Sequence, residues 1–211
     1  AAGGLVGFNF GSVSNSSAVC NVYGSDNSST DGRIGGLVGS LNGRAMVSNS
    51  YSGGTIYASQ KAQVGGISGG IYNIYGYNHD KWWSSREVEV SNCYSYCTLN
   101  KSNLTGANSV YPIAVESEGY NGYKLTVNNC YYLNDTMTYL TNRNGTRLSY
   151  DELCNVVFKD KDGKTIGKAD AKHTYPYSET LKGQAYPFPA FVKTADETVS
   201  VHYGDWPLKT S

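Results

Sequence analysis

Four segments of this chain repeat one short pattern of residues. They read VSNSSA from Val13, VSNSYS from Val47, VSNCYS from Val90 and VNNCYY from Val127. The four valines lie 34, 43 and 37 residues apart, a period typical of solenoid and propeller proteins. Such a repeat constrains the fold strongly, because each copy must build one small unit that packs against its neighbours in a row.

A glycine-rich opener precedes three of the four segments. The openers are GGLVGFNFG from Gly3, GGLVGSLNG from Gly35 and GGISGGIYN from Gly65, whereas VYPIAV from Val110 keeps the apolar pattern without the glycines. Glycine permits positive φ angles and close approach of neighbouring backbones. We therefore expect successive repeats to contact one another through these openers.

Apolar residues alternate over about four to six residues within each repeat, which is strand periodicity. The chain contains 19 tyrosines and 25 glycines but only 16 % charged residues, a composition that suits strands and turns better than helices. A propeller blade needs about 40 to 45 residues and four strands. The sequence therefore predicts an all-β fold, a short right-handed parallel β-solenoid (β-helix) of about four coils, with a C-terminal cap containing one short helix.

One asparagine follows each repeated valine by two positions. These residues are Asn15, Asn49, Asn92 and Asn129. In a stack of strands equivalent residues lie about 4.8 Å apart, so we expect a structural ladder whose side-chain amides bond the turn backbone at one corner. Tyr51, Tyr94 and Tyr131 are expected to stack as an aromatic row.

The GGLVG opener, followed about ten positions later by a VSNSYS-type segment, resembles the GLUG motif. The resemblance covers roughly residues 1–135 and is weakest in the fourth repeat. YPFPAF from Tyr186 and VHYGDWP from Val201 resemble the ends of large surface proteins of anaerobic gram-positive bacteria. GLUG motifs recur in bacterial surface proteins, including adhesins and some immunoglobulin A peptidases. The resemblance thus implies a secreted or cell-surface β-solenoid, and it implies no particular reaction.

The repeat pattern gives way to other sequence, and we assign residues 136–211 to a C-terminal capping region. Ser149 and Glu152 have the spacing of a capping box, which predicts a short helix over residues 150–158. A hairpin is expected over residues 159–166. The alternative is that residues 136–211 form a separate small domain.

The cysteines allow two interpretations. Cys93 and Cys130 occupy the same position in successive repeats, so they could form a disulfide in an extracellular protein or pack as small buried apolar side chains. No CxxC spacing supports a zinc site. Asp26, Asn27 and Asp31 lie in an oxygen-rich loop that we interpret as a solvated turn. We expect no metal and no cofactor.

Several function classes lack support in the sequence. The 17 basic residues balance 17 acidic ones, so we expect neither nucleic-acid binding nor attraction to an anionic membrane. The sequence contains no run of 18 apolar residues, so we expect no membrane insertion. The chain contains no HExxH, GxSxG or P-loop motif, and its repeats carry few acids. We expect no enzyme, with a polysaccharide-active enzyme as the weaker alternative.

The third repeat carries an insertion that departs from the scaffold. It reads IYNIYGYNHDKWWSSRE over residues 71–87. Its candidate ligand-binding residues are aromatic or hydrogen-bonding: Tyr72, Tyr75, Tyr77, Asn78, Asp80, Trp82, Trp83 and Arg86. Flat aromatic faces beside polar groups suit a sugar ring or a protein epitope. Alternatively, these aromatic residues pack down as a small satellite core.

These features together predict an extracellular, adhesin-like binding module of a bacterial surface protein. We expect its partners to be a glycan or a host surface protein, and the remainder of a larger surface protein, because Ala1 begins almost on the repeat as in a mature or excised fragment. The alternative is a structural stalk or spacer in such a protein or in a pilus-like assembly. Exposed aromatic residues in the insertion favour binding, whereas packed ones favour a spacer.

Overall fold

A computed structural model describes residues 1–24, 32–58, 62–71, 87–100, 109–116, 124–133, 144–159 and 162–168. These residues are mostly β-strand with one short helix, so the all-β prediction is confirmed. No helix in these ranges is long and apolar enough to cross a membrane. The elements are β1 Ala2–Gly3, β2 Val6–Asn9, β3 Ser12–Ser14, β4 Ser17–Val19, β5 Val22–Tyr23, β6 Arg33–Gly35, β7 Val38–Leu41, β8 Met46–Ser48, β9 Tyr51–Tyr57, β10 Gln63–Gly65, β11 Glu87–Ser91, β12 Tyr94–Asn100, β13 Ser109–Tyr111, β14 Lys124–Asn128, β15 Tyr131–Leu133, β16 Thr146–Leu148, α1 Tyr150–Cys154, β17 Val157–Lys159 and β18 Thr165–Lys168.

The chain divides into two compact units, residues 1–148 and 149–211. In the first unit, strands from successive repeats pair in parallel. The opener strands form the sheet β1-β6-β10-β13, the VSN strands form β3-β8-β11-β14, and the strands that follow the asparagines form β4-β9-β12-β15-β16. In addition, β5 pairs with β9, and β2 pairs with β7.

The register of these sheets follows the sequence repeat. Val47 lies between Val13 and Val90, and Val90 pairs in turn with Val127. Val47 and Val90 are fully buried in a core cluster that also contains Leu37 and other opener residues. Residues one repeat apart in sequence are therefore direct neighbours in space, and their inward side chains make the core.

A corner separates each VSN strand from the strand that follows it, and an asparagine occupies every corner. The backbone φ angles of Asn15, Asn49, Asn92 and Asn129 are 49°, 50°, 52° and 48°. This is the left-handed region, which asparagine tolerates better than most residues other than glycine. Asn129 Nδ2 donates to Asn92 Oδ1 at 3.4 Å, whereas Asn49 Oδ1 is buried without a hydrogen-bond partner. The property common to all four is thus a backbone conformation.

The residue after each corner asparagine closes the corner with a side-chain donor. Ser16 Oγ donates to the carbonyl of Ser14 at 2.8 Å, and Ser50 Oγ donates to that of Ser48 at 2.7 Å. In the next two repeats the donors are the thiols of Cys93 and Cys130, each 3.1 Å from the carbonyl oxygen two residues earlier. Both cysteines are free thiols, so serine and cysteine have one structural role here.

The paired glycines of the openers lie where successive repeats touch. A Cβ atom added at Gly36 would lie 2.5 Å from Cys97 Sγ and 3.0 Å from Ser52 Cβ. A Cβ added at Gly66 would lie 2.5 Å from Ser95 Oγ. These distances leave no room for a side chain, so the openers need glycine for close packing.

The second unit begins with the predicted helix, which is shorter than expected. Ser149 and Glu152 form a capping box at its start, as the sequence predicts. The helix ends at Cys154 rather than at residue 158, because Asn155 caps it and the β-branched Val157 begins strand β17. β17 pairs with β18 in an antiparallel hairpin, and Gly163 has a φ of 80°.

Candidate functional site

The eight predicted ligand-binding residues, Tyr72, Tyr75, Tyr77, Asn78, Asp80, Trp82, Trp83 and Arg86, all lie outside the described residues. Their proposed role therefore stays a prediction from the sequence. The four corner asparagines are described, and they lie together along one edge of the VSN sheet. Among the described residues, the candidate binding surface is a different one, on the sheet that contains β9 and β12.

Two tyrosines on this sheet stack on each other, and one of them is exposed. The rings of Tyr23 and Tyr57 are 4.4 Å apart between centroids and 8° from parallel. They belong to β5 and β9, whose registered pairing places one ring over the other. Tyr23 is 66 % exposed. An exposed aromatic ring with a hydroxyl group offers both an apolar surface and a hydrogen-bonding tip to a ligand.

Polar side chains flank the stacked rings. Thr55 Oγ1 and Thr98 Oγ1 are 3.0 Å apart on adjacent strands, and the Thr55 amide donates to Asn21 Oδ1 at 3.3 Å. Asn100 is the residue of β12 in register with Tyr57. We call Asn21, Tyr23, Thr55, Tyr57, Thr98 and Asn100 the tyrosine–threonine face. It combines flat apolar rings with hydroxyl and amide groups, and it lacks charged side chains.

The sequence contains a signal for this face. Asn21 and Thr55 are 34 residues apart, and Thr55 and Thr98 are 43 apart, the same intervals that separate the first three repeated valines. Tyr23, Tyr57 and Asn100 keep the same two intervals. The valines, the asparagines and a different tyrosine row have the same intervals, so spacing alone did not distinguish this face from them.

The tyrosine row that was expected lies deeper in the same sheet. Tyr51 and Tyr94 stack with centroids 4.8 Å apart and planes at 5°, and Tyr94 pairs in register with Tyr131. Tyr51 and Tyr94 are both buried. This part of the row contributes to packing and presents little surface to a ligand.

The buried thiols are poor nucleophiles at neutral pH. Burial raises the pKa of the Cys97 thiol from its ordinary 9.0 to about 11. The pKa of Cys93 is raised well above the ordinary value, first by burial and then by the neighbouring Cys130 thiol. Because only the thiolate attacks a substrate, these cysteines are suited to packing and to closing corners.

The described residues contain few groups that could bind a metal or carry acid–base chemistry. Among them there is no cluster of three or more His, Cys, Asp or Glu residues that could hold a metal ion. Asp26, Asn27 and Asp31 lie in a part of the chain that is not described. Glu116 accepts a hydrogen bond from Asn144 at 3.1 Å, so it has a structural partner.

Comparison with known proteins gives information about the fold alone. No model of a known protein family matches the chain, and no curated protein matches it. A solved structure that is similar to this chain is that of a candidate immunoglobulin A1 protease from Bacteroides ovatus, with a TM-score of 0.50 and 19 % sequence identity. The alignment covers 78 % of this chain and 52 % of that protein, so the chain spans about half its length.

Proposed function

We propose that this chain is an extracellular binding module of a bacterial surface protein and that it binds carbohydrate. In this proposal the repeats of GLUG type form a right-handed parallel β-solenoid of about four coils, and a C-terminal region caps it. The observation that carries the proposal is the stack of the exposed Tyr23 on Tyr57. Aromatic rings with adjacent hydroxyl and amide groups suit the apolar faces and the hydroxyl groups of a sugar.

The insertion of the third repeat, whose residues 72–86 lie outside the described part of the chain, remains a second candidate binding segment predicted from the sequence. It contains Tyr75, Tyr77, Trp82 and Trp83 within a few residues. Loops carry binding residues when a rigid scaffold positions them. Adjacent residues on an extended segment point to opposite faces, so one tryptophan should anchor the loop and the other should be exposed to the ligand.

A structural spacer is the second candidate function. The registered parallel sheets and the buried valines and isoleucines of the first unit support it, because they build a rigid body from repeated sequence. A spacer needs no exposed aromatic surface. The stack with the exposed Tyr23 therefore favours the binding module, and the two candidates differ in what removal of that stack does.

A screen of the full chain against a glycan array and a panel of host surface proteins tests the proposal. We expect binding to a limited set of glycans, with at least a tenfold loss of affinity in the Tyr23→Ala and Tyr57→Ala variants. Met46→Ala is the matched control, because Met46 is another exposed apolar residue, at 42 % exposure, on a different sheet.

Other outcomes of this screen would change the conclusion. Binding to host proteins without binding to glycans would identify a protein receptor as the partner. If no ligand binds on either array, or if Met46→Ala weakens binding as much as Tyr57→Ala, the spacer function would become the better account.

A further inference from the structure

The first repeat ends the stack with an apolar surface that remains open to solvent. Leu5 is 50 % exposed, although its in-register counterparts Leu37, Ile67 and Ile113 are fully buried. Phe8 and Phe10 are 42 % and 49 % exposed. Among the described residues, no strand pairs with the outer edge of β1, β2 or β3. We call this surface, formed by Leu5, Phe8, Phe10 and these strand edges, the first-repeat edge.

The composition of the first-repeat edge is the opposite of that of a solvent-facing cap. Terminal repeats that face water normally carry polar residues on their outer side. In the second repeat Ser40 pairs with Phe8, and Asn42 stands where the first repeat has Phe10. At these two positions the end repeat is more apolar than the repeat it covers, whereas Asn9 pairs with the more apolar Leu41. An exposed apolar surface is typical of a contact with another molecule.

Gly7 indicates what kind of polypeptide would fit against the first-repeat edge. A Cβ added at Gly39 would lie 2.6 Å from the carbonyl oxygen of Gly7, and one added at Gly69 would lie 2.6 Å from that of Gly39. Each of these two glycines therefore lies in close contact with the backbone of the repeat before it. Gly7 occupies the same position, but a Cβ there would meet only the Ala1 carbonyl oxygen, at 3.5 Å. The fourth repeat, whose opener has lost its glycines, has Val115 here.

The other end of the stack is covered at two places, the Ala114 backbone and the edge of β15. Asn144 Oδ1 accepts the Ala114 amide at 3.3 Å, and its Nδ2 donates to the Ala114 carbonyl at 2.6 Å. The side chain thus replaces a strand partner for the last opener. β16 also extends the third sheet beyond β15. A second copy of this chain would therefore meet occupied backbone groups at Ala114 and a covered β15, although no strand pairs with the outer edges of β13 and β14 among the described residues.

We propose that the first-repeat edge docks a further repeat of the same pattern, in parallel register and with its backbone against Gly7. This docking continues the established interface that joins the first repeat to the second. The occupant is a polypeptide segment with a GGxxG opener and a free strand edge, whose apolar residues cover Leu5 as Leu5 covers Leu37.

The test duplicates residues 1–32 in tandem ahead of Ala1 of the full chain. The original Ala2 can then pair with the added repeat as Ile34 pairs with Ala2 in the parent chain. We expect a higher Tm and new hydrogen-exchange protection for the amides of β1–β3 in the original first repeat. Gly7→Ala of that original repeat should lower the Tm of the duplicated chain and leave that of the unduplicated chain unchanged. Gly11→Ala is the control, because a Cβ there would meet nothing within 4 Å.

Three results would overturn the proposal. The duplicated repeat could leave the exchange of β1–β3 unchanged, or Gly7→Ala could have the same effect in both chains. The unduplicated chain could also form a dimer in light scattering that Leu5→Lys abolishes, in which case a second copy, and not a further repeat, occupies the edge.

Discussion

At the residue scale, the corner asparagines show what a repeat can and cannot reveal. The spacing of Asn15, Asn49, Asn92 and Asn129 identifies them as equivalent, and the structure places them at equivalent corners. The sequence suggested amides that bond the turn backbone as the reason for the repeat. The structure adds a different reason, a left-handed backbone at each corner, which cannot be derived from spacing because φ depends on how the two strands meet.

Replacing Asn49 separates these two reasons. Asn49→Ala should destabilise the fold by about 1–2 kcal/mol, because a Cβ without a polar group disfavours the left-handed conformation. Asn49→Gly should cost less than about 0.5 kcal/mol, since glycine adopts positive φ freely. Urea unfolding of both variants measures the difference. If both variants lose the same free energy of unfolding, the asparagine ladder stabilises the fold through its side-chain amides instead.

The buried thiol of Cys97 predicts a pH dependence of stability. Below pH 9 the Cys97 thiol is neutral in both the folded and the unfolded chain. Above pH 9 the thiol of the unfolded chain loses its proton, whereas that of the folded chain keeps it up to about pH 11. Stability should therefore fall between pH 9 and 11. The two thiol pKa values differ by about 2, and each pKa unit corresponds to about 1.4 kcal/mol, so the free energy of unfolding should fall by about 3 kcal/mol.

The control for this pH dependence is Cys97→Ser, which keeps a donor beside Ser52 but does not ionise. Other groups titrate in the same range, so the informative quantity is the difference in slope between the parent chain and this variant in unfolding experiments under reducing conditions. Parallel slopes for the two proteins would contradict the raised thiol pKa.

At the element scale, the strands were more predictable than their ends and connections. The alternating apolar residues and the glycine openers predicted short strands, and the capping box at Ser149 and Glu152 predicted the start of α1. The predicted end of α1 was wrong by four residues, because Asn155 caps the helix and Val157 begins a strand. Local sequence preference determines the start of this helix, whereas the pairing of β17 with β18 determines its end.

The glycine openers provide a test at this scale. Gly36→Ala should destabilise the protein by about 1–3 kcal/mol, because the new Cβ would lie 2.5 Å from Cys97 Sγ and the contact between repeats must shift. Gly11→Ala meets nothing within 4 Å and should be neutral or stabilising by up to about 1 kcal/mol. Thermal unfolding measures both. Similar Tm values for the two variants would show that the openers do not need glycine for packing.

At the scale of the whole molecule, the sequence predicted an all-β chain and which residues are equivalent from repeat to repeat. It did not single out the outward side chains of the candidate binding surface, because the same two intervals recur in the valines, the asparagines and a buried tyrosine row, and spacing alone does not say which of these sets faces outward. Tyr23, Tyr57 and the two threonines became neighbours only through the register of β5, β9 and β12. The aromatic insertion is more conspicuous in the sequence, and its residues 72–86 lie outside the described part of the chain.

Residues one repeat apart in sequence meet on the tyrosine–threonine face, and this register underlies the proposed binding surface. The most direct test compares the oxidation rates of two double-cysteine variants in a Cys20→Ser background. The in-register pair is Thr55→Cys with Thr98→Cys, whose hydroxyl oxygens are 3.0 Å apart in the parent chain. The out-of-register pair is Thr55→Cys with Asn100→Cys. Mass spectrometry should show disulfide formation at least tenfold faster for the in-register pair, whereas equal rates, or a faster out-of-register pair, would contradict the register and the face built on it.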